Sequence, residues 1–215
     1  MSKIFYGIYL KREEVSTALD LIRFLGEPGS IRYSHITLRG PYRRELSRAR
    51  LHAINTNPSY QWTIALTEPV AFFEGVQSTV AIAVDLMSLR ELLYKPDFPD
   101  GVPHITLYDG RNRAFARDLY SLVRQYVWHD ELQVSTLRRI QPKRNLEHEL
   151  VPLFSHFHSL YEKVVGDPRM IASAWALSLD DRLSLIGEIL RGRPHRVEAP
   201  SPDQEVPAVR RAVWA

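Results

Sequence analysis

The chain reads as an α+β protein made of two related lobes, about 1–75 and 76–140, with an α-helical extension at 141–193 and a proline-rich tail at 194–215. Three observations carry that reading. Short segments alternate apolar and polar residues with period two, and the segments between them repeat apolar residues at helical spacing. The order strand, helix, strand, helix, strand occurs before residue 76 and again before residue 141. The tetrapeptide His-Ile-Thr-Leu stands at 35–38 and returns at 104–107, a separation too long for a solenoid unit and suited to two copies of one lobe.

In the first copy, residues 3–10 (KIFYGIYL) predict a strand, and 13–25 place Val15, Leu19, Ile22 and Leu25 on one helical stripe. Gly26, Pro28 and Gly29 end that helix. The pattern then predicts a strand over 32–39, a turn at Gly40-Pro41, a polar helix over about 43–54 and a strand from Tyr60 to about Val70. The second copy predicts a strand over 78–86, a short helix over 88–94, a strand over 103–108 and a turn through Asp109-Gly110. A helix over 112–127 and a strand over 132–140 complete it. After Gln141 the pattern is helical only. Residues 146–165 carry an apolar stripe that includes Leu146, Leu150, Leu153 and Phe157. Asp167-Pro168 opens a second helix, and Ser178 with Asp181 caps a further one that Gly192 can end. Pro194, Pro200, Pro202 and Pro207 mark the tail.

With 215 residues and 45% hydrophobic content the chain can build a proper core. It has no cysteine, which excludes disulfide scaffolds, thiol nucleophiles and sulfur-ligated zinc. A net charge of +3 permits an anionic ligand without indicating one. The apolar run near the N-terminus is too short for a signal core, and no segment reaches the roughly 18 apolar residues of a membrane span. A soluble, cytoplasmic protein without membrane association is the expectation.

In a strand, alternate side chains share a face. That alternation puts His35, Thr37 and Arg39 on one side of the first copy, and His104, Thr106 and Tyr108 on one side of the second, with the isoleucines and leucines opposite. One histidine and one threonine on a solvated strand face mean little. Two such pairs at equivalent places of a repeat mean more, because a bare fold repeat keeps the apolar positions without keeping the polar ones. Imidazoles titrate near neutrality, so one can take a proton from an attacking hydroxyl while the other gives one to a leaving oxygen. Hydroxyls fixed on rigid strands can hold phosphoryl oxygens as charge develops, with no metal needed. Arg39 and Tyr108 are expected as further oxygen ligands, with Tyr42 and Arg43 near the cleft mouth.

At these residues the chain resembles the 2H phosphoesterase superfamily. That family includes the bacterial RNA 2′,3′-cyclic phosphodiesterases (LigT-like, also called 2′-5′ RNA ligases), and its hallmark is two His-x-Thr/Ser motifs, each followed by a hydrophobic residue. His35-Ile36-Thr37-Leu38 and His104-Ile105-Thr106-Leu107 match in full, and the resemblance covers roughly residues 3–140. It implies two pseudo-symmetric lobes with antiparallel-rich sheets and a central cleft. It also implies metal-independent hydrolysis of 2′,3′-cyclic phosphates or related nucleotide or RNA phosphodiesters, with no cofactor and both His/Thr pairs on the phosphate. The resemblance makes His104 the base and His35 the acid, while the symmetry of the motifs leaves an exchange of roles open.

Two other readings compete. One is a module that binds a nucleotide or RNA end without turnover and signals through the helical extension. The other makes the two strands purely structural and gives function to the C-terminal helices as a homo-oligomer or partner surface. Lesser features point less far. The run Arg39, Arg43, Arg44, Arg48, Arg50 reads equally as a nucleotide-attracting patch or a solvated helix face. Trp62, Phe72 and Phe73 read as core. His156 and His158 sit two apart on a helix, and Glu147-His148-Glu149 lacks zinc-protease spacing, so neither makes a metal case. His52, His129 and His195 have no evident partner in the sequence.

Overall fold

The computed structural model describes residues 3–11, 14–27, 33–73, 75–140 and 177–192. The helix expected at 146–165, the Asp167-Pro168 cap, Glu147-His148-Glu149, His156, His158, His195 and the tail lie outside the described residues.

The described residues form a mixed α+β fold with two antiparallel sheets. Strands β1 (Ile4–Tyr9), β2 (His35–Tyr42) and β7 (Arg138–Arg139) form one, in the order β2-β1-β7. Strands β3 (Thr63–Phe72), β4 (Ser78–Asp85), β5 (His104–Gly110) and β6 (Glu131–Gln133) form the other, in the order β5-β4-β3-β6. The helices are α1 (Glu14–Gly26), α2 (Arg48–Asn55), α3 (Arg113–Val123) and α4 (Leu179–Arg191), with a 3₁₀ turn over Met87–Leu92.

Each helix follows from local chemistry. The stripe of α1 buries Leu19, Ile22 and Leu25 completely. The Ser47 side chain caps α2 by accepting from the Arg50 N–H, and Asn112 caps α3 by accepting from the Phe115 N–H. The α2 helix begins at 48 rather than 43, because the Leu46 N–H donates to the Tyr6 hydroxyl and holds the preceding residues out of the helix. The indole of buried Trp128 donates to the Val123 carbonyl, taking up one of the orphan acceptors where α3 ends. Ser178 caps α4 and Gly192 ends it, as their spacing predicts.

The sheets do not divide where the repeat divides. Although β3 belongs by sequence to the first copy, it pairs with β4 of the second. The strand expected over 132–140 splits in two. Its first part, β6, pairs with β3, and its second part, β7, pairs with β1 in the other sheet. Between them the backbone of Leu137 is bonded in both directions by the Asn55 side chain instead of a strand.

The larger hydrophobic core among the described residues runs through both sheets. It joins Tyr6, Ile8, Ile36 and Leu38 of the first sheet to Ile64, Ile82, Ile105 and Leu107 of the second. The helix α4 is part of that core rather than an appendage. Its Ile186, Ile189 and Leu190 are fully buried, and it packs against α1 and α3. The expected helical extension therefore reaches back into the body of the protein at this helix, because its apolar stripe covers the faces of α1 and α3 that the sheets leave open.

Candidate functional site

The two histidine strands, β2 and β5, are edge strands of different sheets, and they meet each other in the fold. Between them lies a cavity of about 200 Å³ lined by Phe5, His35, Thr37, Gly40, Lys95, Phe98, His104 and Thr106. Both predicted His/Thr pairs therefore face one space.

The pairing around each motif is the same residue for residue. In β1–β2, Tyr9 opposes His35, Ile8 opposes Ile36 and Gly7 opposes Thr37. In β4–β5, Ala83 opposes His104, Ile82 opposes Ile105 and Ala81 opposes Thr106. The histidines are anchored alike. His35 Nδ1 lies 2.9 Å from the Tyr33 carbonyl, and His104 Nδ1 lies 2.7 Å from the Val102 carbonyl. A carbonyl only accepts, so each Nδ1 carries a proton, and in the neutral ring each Nε2 holds the lone pair. An aromatic ring flanks each imidazole, Tyr9 at 5.4 Å from His35 and Phe72 at 5.8 Å from His104. Phe72, expected as core, thus also borders the site.

Burial lowers the His104 imidazole from 6.5 to about 4. Its bond to Val102 and the Asp109 carboxylate oppose that lowering, while the Lys95 and Arg23 cations add to it. At neutral pH His104 is uncharged, with Nε2 able to accept a proton. Arg23, buried on α1, donates from Nη1 to the Thr106 carbonyl at 2.9 Å and so ties the helix to the edge of β5. Gly26 permits that approach: a Cβ there would stand 2.8 Å from the Leu107 carbonyl oxygen.

Arg39 and Tyr108 do not share the face of their motifs, and the cause is the same in both copies. Gly7 opposes Thr37 but Tyr6 opposes Arg39, which leaves Leu38 as an extra residue in β2. Ala81 opposes Thr106 but Val80 opposes Tyr108, which leaves Leu107 extra in β5. Each extra residue is a β-bulge, and a bulge shifts the alternation by one. Arg39 therefore turns away, donating from Nε to the Tyr42 hydroxyl and from Nη1 to the Leu92 carbonyl. Tyr108 is buried against Phe115, and its hydroxyl accepts from the Asn112 N–H at 2.9 Å. Burial also raises the Tyr108 phenol above its usual range.

Tyr42 is also absent from the cavity lining, because its ring stacks on Tyr94. Arg43 is exposed beyond the end of β2 and does not line the cavity. The turn expected at Gly40-Pro41 is instead strand, carried past a second irregularity that brings Tyr42 opposite Ile4. Gly40 is suited to that place, with φ +118° and a would-be Cβ only 2.6 Å from the Ile4 carbonyl oxygen.

Lys95, Phe5 and Phe98 line the cavity without having been expected there. Phe5 could have been found from alternation, since it lies two residues before Gly7 and four before Tyr9. Lys95 and Phe98 sit in the irregular segment before His104, where period carries no signal. Of the other histidines, His52 and His129 are exposed. Trp62 packs against the core edge-on to Tyr60, and Phe73 edge-on to Tyr120. Among the described residues no group of three His, Asp or Glu comes together as a metal site, and no helix is long and apolar enough to cross a membrane.

Comparison with family models, curated proteins and solved structures returns no match.

Proposed function

We propose that the chain is a metal-independent phosphodiesterase of the 2H phosphoesterase kind, acting on 2′,3′-cyclic phosphates or related nucleotide phosphodiesters. The observation that carries this reading is the matched register of two His-Ile-Thr strands around one cavity.

His104, uncharged at neutral pH, takes a proton from the attacking water at Nε2 while the water oxygen bonds to phosphorus. The bond from phosphorus to one ribose oxygen breaks, and that oxygen takes the Nε2 proton of His35 in its imidazolium form. The product is a nucleoside monophosphate, and exchange with solvent returns both rings to their starting states. The carbonyls of Tyr33 and Val102 keep Nδ1 occupied, so the proton traffic runs through the other nitrogen of each ring. The hydroxyls of Thr37 and Thr106 hold non-bridging oxygens, where negative charge grows in the transition state.

The test is hydrolysis of 2′,3′-cyclic nucleotides by the parent, His35→Ala and His104→Ala proteins, with product identification. Each variant should lose about 10²–10⁴-fold in kcat, the usual contribution of one general acid or base. Variants as fast as the parent would sink the proposal. Tight binding of an unhydrolysed ligand by the parent would move the reading to a binding module.

A further inference from the structure

We propose that Lys95 supplies the positive charge that grips the phosphoryl oxygens in this cavity, and that Tyr94, Tyr42 and Arg39 are positioning residues that hold it there. The proposal rests on the phosphodiesterase reading given above.

The bulges remove Arg39 and Tyr108 from the cavity, which leaves the motifs with two imidazoles and two neutral hydroxyls facing a substrate that carries negative charge. Beside the histidines, Lys95 brings an ammonium group to the lining of the same cavity. Lys3 pairs with Asp97, Arg90 with Asp85, and Arg139 with Glu45, and none of these ion pairs occupies Lys95. An ammonium taken partly out of water without a counter-charge carries a desolvation cost that a bound anion offsets. Burial lowers the pKa of Lys95, as expected for such a group, and its charge reaches His104.

The placement of Lys95 follows from its neighbour. The Tyr94 N–H donates to the Leu38 carbonyl and the Gly40 N–H donates to the Tyr94 carbonyl, both at 2.9 Å. This one-residue parallel bridge to Arg39 sits on the outer edge of β2, at the bulge itself. The Tyr94 ring stacks on Tyr42 at 5.7 Å, and the Arg39 guanidinium lies 5.3 Å from its centroid. Arg39 closes the assembly through its bonds to the Tyr42 hydroxyl and the Leu92 carbonyl. The residue after this clamp is Lys95, and Pro96, Pro99 and Pro103 restrict the chain from there to His104. Arg39, which the bulge turns away from the cavity, thus helps to hold the segment that brings a different cation into it.

The experiment compares the parent with Lys95→Met, Lys95→Arg and Arg39→Met. Three readouts are taken: kcat/KM on a 2′,3′-cyclic nucleotide, its pH profile, and calorimetric binding of a nucleoside 2′-monophosphate. Lys95→Met should lower kcat/KM and monophosphate affinity by about tenfold or more, the scale of one charge-assisted hydrogen bond, with Lys95→Arg recovering most of both. Because the Lys95 charge lowers the His104 pKa, its loss should move the acidic limb of the profile to higher pH. Arg39→Met should move that limb the same way, which a purely structural defect would not do. Lys95→Met within twofold of the parent in turnover and in monophosphate binding overturns the phosphate role. An unmoved limb in Arg39→Met overturns the positioning role. A parent that cleaves no cyclic nucleotide refutes the phosphodiesterase reading instead. Monophosphate binding then decides Lys95 separately: a tenfold loss in Lys95→Met upholds it, and equal or absent binding overturns it.

Discussion

Replacing His104 with glutamine should flatten the pH dependence of folding stability. In the unfolded chain the imidazole titrates at 6.5, and in the folded protein at about 4. Between those values the unfolded state holds a proton that the folded state does not, so unfolding becomes more favourable as pH falls. The contribution is intact above pH 6.5 and is lost progressively down to about pH 4. At about 1.4 kcal/mol per pH unit, the loss comes to about 3 kcal/mol. The cause is burial, which the anchoring bond to Val102 does not offset, so the charged ring is the disfavoured form. Urea denaturation of the parent and His104→Gln proteins at a series of values between pH 7.5 and 4 reads this directly. The variant lacks the titration, so the stability difference between the two proteins should change by most of that 3 kcal/mol across the range, to the detriment of the parent in acid. Parallel stability curves would show that burial does not depress the His104 pKa and would remove the physical basis for the base role proposed for it.

Tyr108→Phe deletes the hydroxyl that accepts from the Asn112 N–H and should cost about 1 kcal/mol of stability, with kcat/KM on a cyclic nucleotide within twofold of the parent. A tenfold loss of activity without a loss of stability would return Tyr108 to the proposed substrate site. Ile189→Ala, at a fully buried position of α4, should cost about 2–5 kcal/mol, read as a lowered Tm by calorimetry. An unchanged Tm would make α4 a peripheral element after all. Gly40→Ala forces a Cβ against the Ile4 carbonyl at a left-handed φ and should destabilise by about 1–3 kcal/mol in thermal melts. A variant as stable as the parent would contradict the strand path drawn through Gly40-Pro41.

By itself the sequence determined what depends on neighbours along the chain. Alternation located β1, β2, β4 and β5 to within a few residues, apolar spacing located α1 and α3, and the Ser178 and Gly192 signals bounded α4. The repeated tetrapeptide named the four residues that the fold brings to one cavity, because a strand fixes the faces of His35 and Thr37, or of His104 and Thr106, over two residues. Only the tertiary structure decided what depends on strand pairing. Leu38 and Leu107 are ordinary strand residues until β1 and β4 pair past them, and the resulting bulges reverse the faces of Arg39 and Tyr108. The same holds for β3, which joins the second sheet, for α4, whose stripe is buried by helices distant in sequence, and for Lys95. That lysine lies in an irregular segment with no period to read, and it reaches the histidines because Tyr94 bridges to the edge of β2 at the bulge.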